Sequence, residues 1–448
     1  MNMVKVITYG SYDMLHFGHI RLLERAKALG DYLIVGITSD DYDKTRGKIN
    51  LQQSLTERIE GVRSTGLADL IVIEEYEGQK IDDIKRYGVD IFTVGSDWEG
   101  KFDYLNEFCK VVYLPRTEGI SSSEIRAKER ALRIGFIGND EGRILNKYCA
   151  ETKFVNGATV SAVCTRDSEV KKEHGDVNIV GTYKEVLSES DAVYILSHPT
   201  QHYEQIKMAL NSGKHVLVEM PIALEEVHIK ELYQLAEEKK LILMPAMKTA
   251  YATAYNRLLL LLKGGNIGKI VSVDATCTSI REASKSQIKE QNIWNSICAW
   301  GPTALLPVFH ILGTDYKNTI IASFYLDKDY HFDAFTKIDF IYDSAVASIK
   351  VGRGVKSEGE LIVSGTKGYI YVPAPWWKTD YFEVRYEDQS QNKRYFYQLD
   401  GEGIRYELVA FMKAIKSGIL PDYISKRVAC QITKVIEDYY KGKVEEIR

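Results

Sequence analysis

VKVITYGSYDMLHFGHIRLLERAKALG, residues Val4–Gly30, is where this sequence declares its architecture. Val4 to Thr8 is apolar and β-branched, the composition of a buried strand. Tyr9 to Leu15 reads as a loop. His16-Phe17-Gly18-His19 follows, and then a helix from Ile20 to Leu29 stopped by Gly30. Two imidazoles, three residues apart, therefore sit at the mouth of a strand–loop–helix unit. Unpaired backbone N–H groups and the positive end of the helix dipole meet there, which suits a phosphate. Gly18 allows a ligand to approach the backbone closely.

Outward from this stretch, strand and helix signals alternate. Asp31–Ile37, Leu70–Glu74, Ile91–Val94 and Val111–Leu114 read as strands, with helices at Ser54–Thr65 and Ile81–Tyr87. That order predicts a parallel sheet covered by helices, with a ligand at the carboxyl ends of the strands.

The His16–His19 segment resembles the HxGH nucleotidyltransferase signature, in the form carried by glycerol-3-phosphate cytidylyltransferases. Two later stretches extend the resemblance: Val94-Gly95-Ser96-Asp97-Trp98-Glu99-Gly100-Lys101-Phe102-Asp103, and Arg116-Thr117-Glu118-Gly119-Ile120-Ser121-Ser122-Ser123. The resemblance implies cytidylyl transfer from CTP to a small phosphorylated alcohol, with sn-glycerol 3-phosphate as the acceptor expected, and Mg²⁺ accompanying CTP. It implies catalytic roles for His16, His19, Arg116, Lys44 and Arg58. Nucleotide contacts would come from Ser11, Tyr12, His16, His19, Lys48, Arg116, Thr117, Ser121, Ser122 and Ser123. Acceptor contacts would come from Lys44, Arg46, Lys80, Asp97 and Trp98. No side-chain metal ligand is expected. By the same resemblance the product would be a CDP-polyol feeding teichoic acid or capsule synthesis. Two departures loosen the acceptor assignment. The spacing of Lys44-Thr45-Arg46-Gly47-Lys48 differs from the family's, and Gly66 stands where the family has an arginine, for which Arg63 is the candidate replacement.

Bulk properties exclude other classes. The 448 residues suffice for two or three domains. A net charge of −4 gives no broad nucleic-acid footprint. The six cysteines stand at neither metal nor redox spacing, as in a reducing compartment. No leader peptide is read at the start. The apolar run Ile297–Gly313 is expected to be broken by Pro302 and Pro307, so no membrane span is expected. The expected setting is cytoplasmic.

Ser122 to Arg130 reads as a helix running directly into a new strand, Ala131–Gly138. Further strands are expected at Val160–Cys164, Ala192–Leu196 and Lys214–Glu219. The series resembles the glucose–fructose oxidoreductase/inositol dehydrogenase/MocA family over nearly all of residues 131–448. The fold expected is α/β: an N-terminal Rossmann-like nucleotidyltransferase domain at 1–128, a second Rossmann domain at 131–248, and a C-terminal α+β domain at 249–448 with an open, mostly antiparallel sheet and its last helices packing back. The resemblance implies dinucleotide contacts from Gly138, Asn139, Thr165, Arg166, Ser197, Pro199, His202 and Glu219. Thr165-Arg166 in place of an acidic residue favours NADP(H) over NAD(H), if a dinucleotide binds. The active-site residues depart from the family. Met220 stands for the lysine of Glu-Lys-Pro and Leu306 for an aspartate, leaving His310 alone; Asp140 replaces a fingerprint glycine. The expectation is therefore a second half that has lost redox catalysis. The alternatives are a bifunctional enzyme whose second half makes the polyol phosphate with NADPH, or a dinucleotide-sensing, regulatory or dimerisation module. The chain is expected to form a homodimer or larger homo-oligomer through the open sheet face.

Overall fold

A computed structural model describes the chain except for residues 1–2, 46–50, 52, 77, 116–130, 139–141, 156, 166–176, 290–293, 379, 398 and 448. Two compact units result, Met1–Ala131 and Leu132–Arg448.

In the first unit the order is β1 Lys5–Gly10, α1 Phe17–Lys27, β2 Tyr32–Thr38, α2 Asp40–Thr45, α3 Leu55–Ser64, β3 Leu70–Glu74, α4 Gln79–Tyr87, β4 Ile91–Gly95 and β5 Lys110–Leu114. The sheet runs β3-β2-β1-β4-β5 and all its pairings are parallel. Successive side chains of β1 enter opposite layers, as the strand period requires. Val6 packs with Leu23, Ala26, Leu33 and Val62 on one side. Ile7 and Tyr9 pack with Ile34, Ile84, Phe92 and Leu105 on the other. Strand order reverses between β1 and β4, so a crevice opens beyond their carboxyl ends.

Helix α1 begins at Phe17, three residues earlier than its hydrophobic pattern predicts. The cause is His16, whose Nδ1 accepts from the Gly18 N–H at 3.1 Å and so caps the helix itself. α3 starts on a capping box, Ser54 with Glu57. Gly88, at φ 61°, ends α4.

The second unit opens with β6 Leu132–Gly138, α5 Gly142–Thr152, β7 Ala158–Cys164, β8 Ile179–Val180, α6 Tyr183–Glu189, β9 Ala192–Leu196, α7 Pro199–Asn211, β10 His215–Glu219, α8 Glu226–Glu238 and β11 Leu243–Ala246. These strands form a parallel sheet, β11-β10-β9-β6-β7-β8, with its switch point between β6 and β9. Next come α9 Lys248–Tyr251, α10 Thr253–Lys263, β12 Ile270–Ile280, α11 Lys285–Lys289 and α12 Ser296–Leu312. The remaining strands are β13 Asn318–Asp327, β14 Phe332–Ile341, β15 Val346–Gly352, β16 Gly354–Val355, β17 Leu361–Gly365, β18 Tyr369–Val372, β19 Tyr381–Arg385 and β20 Lys393–Phe396. Helices α13 Ile404–Ser417 and α14 Lys426–Tyr440 and the short β21 Glu445–Glu446 close the unit. Its second sheet runs β20-β19-β18-β17-β12-β15-β14-β13-β21, with β16 paired to β12. It is mostly antiparallel, as the resemblance implies. α13 packs on α5, and α14 packs on α8 and α12.

One expectation fails here. Pro302 and Pro307 do not break the run they interrupt: α12 is one continuous helix of 17 residues. Each proline removes an N–H from the ladder. The helix is nonetheless held by β12, β14 and β15 and by α14. No described helix is long and apolar enough to cross a membrane.

Candidate active sites

The first site lies at the carboxyl end of β1. Its loop turns through two non-glycine residues in left-handed conformation, Tyr12 at φ 50° and Met14 at φ 49°. Such backbone is held only where its surroundings over-determine it. Here Gln53 clamps it, with Gln53 N donating to Asp13 Oδ1 at 3.0 Å and Gln53 Oε1 accepting from Met14 N at 2.6 Å. The Tyr12 ring is buried and meets His19 edge-on, with centroids 5.6 Å apart. His16 and His19 stack at 3.9 Å with 20° between their planes. No acidic residue occupies the first turn of α1. The positive end of the dipole and two imidazoles therefore meet without a carboxylate on that turn to offset them, the electrostatics of an anion site.

Two of the cations expected at the site, Arg58 as a catalytic residue and Lys80 as an acceptor contact, have other partners. Arg58 is fully buried. Its guanidinium donates to the carbonyls of Ser11 at 2.8 Å and Thr38 at 2.9 Å, and pairs with Asp40 and Asp43. It thus ties the histidine loop to the end of β2 and the start of α2, and acts on the site through the backbone. Lys80 is turned inward from the first turn of α4, paired with buried Glu74 and lying 4.7 Å over the Tyr9 ring. Arg63 is exposed and paired with Glu60 on its own helix. Asp97 and Trp98 occupy a 3-10 turn, Ser96–Trp98, directly after β4. That places them on the same sheet edge as the histidines. Lys44 lies on α2. Arg46, Lys48, Arg116, Thr117, Ser121, Ser122 and Ser123 lie outside the described residues. Among the described residues no group of three or more His, Cys, Asp or Glu is placed to hold a metal ion.

The second unit holds a cavity of about 460 Å³ at the carboxyl ends of β6, β9, β10 and β11. Gly138 and Glu219 line it, as does Met220. A Cβ on Gly138 would come within 3.0 Å of the Leu145 side chain, so the glycine lets α5 close on β6. Other expected cofactor residues sit behind this wall. Ser197 is buried and bonded to Gln205, and Pro199 begins α7. His202 faces two carbonyls, Ser197 at 2.7 Å and Pro221 at 2.8 Å. Burial outweighs those contacts and pushes its pKa down to about 4. It latches the loop after β9 to the loop after β10. Thr165 follows β7 directly; Asn139 and Arg166 lie outside the described residues. His310 packs on Tyr255 at 3.2 Å and, like Leu306, is absent from the cavity wall.

Sequence reading missed four residues of this wall. Tyr148 Oη donates to Glu219 at 2.8 Å, and Tyr194 Oη donates to Glu407 at 2.5 Å. The tyrosine rings meet edge to face, with centroids 5.1 Å apart. Lys248 lies over the Tyr148 ring. No local motif marks these residues, because α5, β9, α9 and α13 bring them together. Burial raises the Glu407 pKa to about 8, against the Tyr194 hydrogen bond and the Lys248 charge, which lower it. Burial likewise raises Asp333 to about 7. Between an unfolded carboxyl value near 4.5 and a folded value near 8 the folded state binds more protons than the unfolded one. Stability therefore falls as pH rises through this range, by up to about 1.4 kcal/mol per pH unit for one such group. Denaturation of the second unit is expected to show this loss between about pH 5 and 8. Glu407→Gln should reduce it, chiefly between about pH 7 and 8 where Asp333 no longer contributes; a wild-type profile in the variant would remove Glu407 as a cause.

A strand–HxGH–helix nucleotidyltransferase site and a dinucleotide-type Rossmann fold with a mixed sheet are the two classes defined by this architecture. Residues 7–128 match the cytidylyltransferase-like family model, and residues 132–247 match that of the oxidoreductase family with NAD-binding Rossmann fold. The glycerol-3-phosphate cytidylyltransferase of Bacillus spizizenii is 47% identical over 124 residues, covering 28% of this chain and 95% of that protein. The Bacillus subtilis enzyme of the same name is 48% identical over 124 residues, with 28% and 95% covered. The chain belongs, through its first unit, to the glycerol-3-phosphate cytidylyltransferase family, and it is a nucleotidyltransferase. Its second unit aligns with KijD10, a 3-ketoreductase of Actinomadura kijaniata in complex with NADP and TDP-benzene. The TM-score is 0.62 at 18% identity, over 71% of this chain and 99% of that one. The UDP-N-acetylglucosamine 3-dehydrogenase of Acidithiobacillus ferrooxidans aligns with TM-score 0.56 at 14% identity, over 68% and 95%. This corrects the expectation of a second half that has lost redox catalysis. The unit retains, end to end, the fold of an NADP-complexed ketoreductase, and Met220 and Leu306 are single replacements within it.

Proposed function

We propose that the chain is bifunctional. The first unit joins CTP to a small polyol phosphate, sn-glycerol 3-phosphate as first candidate, giving a CDP-polyol and pyrophosphate. The second is an NADPH-dependent reductase that makes a polyol phosphate. The observation that carries the first part is the stacked His16–His19 pair at the acid-free N-terminus of α1. A phosphate monoester is mostly dianionic at neutral pH and attacks the α-phosphorus without a general base. The protein must align it and set positive charge where negative charge grows. His16 and His19 do this on the triphosphate, with Arg116, Lys44 and Lys48 as the further cations and Ser11, Tyr12, Thr117 and Ser121–Ser123 about the nucleotide. Asp97 and Trp98 lie on the acceptor side. Mg²⁺ held by the phosphates would supply further charge neutralisation.

The expected result is pyrophosphate release from CTP with sn-glycerol 3-phosphate and none with ATP. Release with glycerol 2-phosphate or ribitol 5-phosphate only would replace the acceptor; release with no phosphorylated polyol would end the reading. For the second unit, NADPH binding followed by fluorescence is expected, and its absence would end the reductase reading.

Working boundaries of 1–128, 131–248 and 249–448 go with this reading, as does a homo-oligomer. Ile320, Phe324 and Leu326 alternate along β13 with their side chains exposed at 49%, 41% and 52%, an apolar row of the kind that marks interfaces. Light scattering is expected to give a dimer or larger, and Phe324→Glu to shift it toward the monomer. A wild-type monomer would contradict the proposal.

A further inference from the structure

The wall that Met220 lines needs a proton carrier, since a thioether holds none. Lys248 is placed for it. It stands at the start of α9, two residues beyond β11, and lines the same cavity. Its Nζ lies 5.3 Å from the centre of the Tyr148 ring. Among the described residues its side chain makes no hydrogen bond and no ion pair. The other two lysines of the cavity, Lys147 and Lys378, are both paired with Glu402.

What faces Lys248 is a set of proton-bearing groups. From α5 comes Tyr148, bonded to Glu219 at the end of β10. From β9 comes Tyr194, bonded to Glu407 on α13. Glu407 is completely buried, and its Oε2 has no hydrogen-bond partner. An isolated buried carboxylate is costly, so the carboxyl is held neutral. Of the two carboxyls in this cluster Glu407 is thus the neutral one, while Glu219 is held by Tyr148. The lining carries five lysines and arginines against three glutamates, together with Trp294, Trp300 and Trp377. Positive balance and indole faces suit a polyhydroxylated, anionic molecule.

We propose that Lys248 is the catalytic proton-transfer residue of the second cavity, acting at the oxygen of a phosphorylated keto-polyol, with Glu407 its positioning partner through the two tyrosines. The inference rests on the reductase reading above. A dihydronicotinamide dinucleotide, when bound, supplies a hydride to the carbonyl carbon. The carbonyl π pair moves to oxygen, the Nζ–H bond of Lys248 breaks and an O–H bond forms, leaving an alcohol and a neutral amine. That amine regains its proton from solvent. In the reverse direction Lys248 takes the proton from the alcohol.

The test uses the full chain with dihydroxyacetone phosphate and ribulose 5-phosphate, the ketones of glycerol 3-phosphate and ribitol 5-phosphate. Lys248→Met is expected to lower turnover at least about 100-fold. NADPH binding, read by fluorescence, should stay within about twofold, which also shows the variant folded. Glu407→Gln is expected to move the pH profile of turnover with a smaller loss of rate. Saturating NADPH plus ketone should slow acetylation of Lys248, read by mass spectrometry of the wild type. Wild-type turnover in Lys248→Met, or unslowed acetylation in a wild type that turns over, overturns the assignment alone. A wild type that neither binds NADPH nor reduces either ketone overturns this assignment and the reductase reading together.

Discussion

His16→Ala is expected to reduce CTP turnover by about 10²–10³-fold, the usual effect of deleting one preorganised donor to a transition state. The side chain has two jobs. Its Nδ1 accepts from the Gly18 N–H and caps α1. Its ring stacks on His19 at 3.9 Å and so fixes where the second imidazole points. Loss of the cap alone costs about 1 kcal/mol of stability and cannot account for a hundredfold loss of rate. His16→Asn separates the two: asparagine is a good N-cap, so thermal stability should recover while turnover stays low. The double variant His16→Ala/His19→Ala should lose much less than the product of the single losses, because each ring positions the other. Pyrophosphate release decides it. Turnover within threefold of wild type in His16→Ala would overturn the mechanism.

Arg58→Met is expected to destabilise the first unit by about 3–5 kcal/mol, the cost of removing one partner from a buried ion pair. For a unit of this size that is roughly a 10–20 °C drop in melting temperature. Methionine fills the volume but leaves Asp43 buried without its guanidinium, and removes the donor that Arg58 offers to the carbonyls of Ser11 and Thr38. Because Ser11 belongs to the histidine loop, KM for CTP should rise even at temperatures where the variant is folded. Calorimetry with steady-state kinetics at 15 °C tests both parts. An unchanged melting temperature would show that the guanidinium braces nothing. A phosphate-binding arginine would give the opposite pattern, with large loss of turnover and little loss of stability.

Much of the fold was legible because its signals are local. β1, β2, β3, β4 and β5 fall within a residue or two of the apolar runs that announce them. The helix read at Ser54–Thr65 is observed at Leu55–Ser64, one residue shorter at each end. The start of α1 was missed since a histidine is not among the common capping residues. The continuity of α12 was missed since proline propensity describes an isolated helix, whereas three strands and a second helix hold this one. Arg58 takes a catalytic role by resemblance, and a charge in sequence carries no sign of burial. Only packing places it at zero exposure among carbonyls.

By itself the sequence determined that a strand–loop–helix unit carries two histidines at its mouth, and that a second Rossmann unit follows. Both rest on hydrophobic periodicity and on groups close together in the chain. Tertiary structure decided which cations remain available for chemistry. Arg58 and Lys80 are turned inward by the carboxylates and carbonyls that packing sets beside them. Lys248 gains its neighbours from elements as far apart as α5 and α13. Reactivity depends on desolvation and on contacts between residues distant in the chain, and neither exists until the chain has folded.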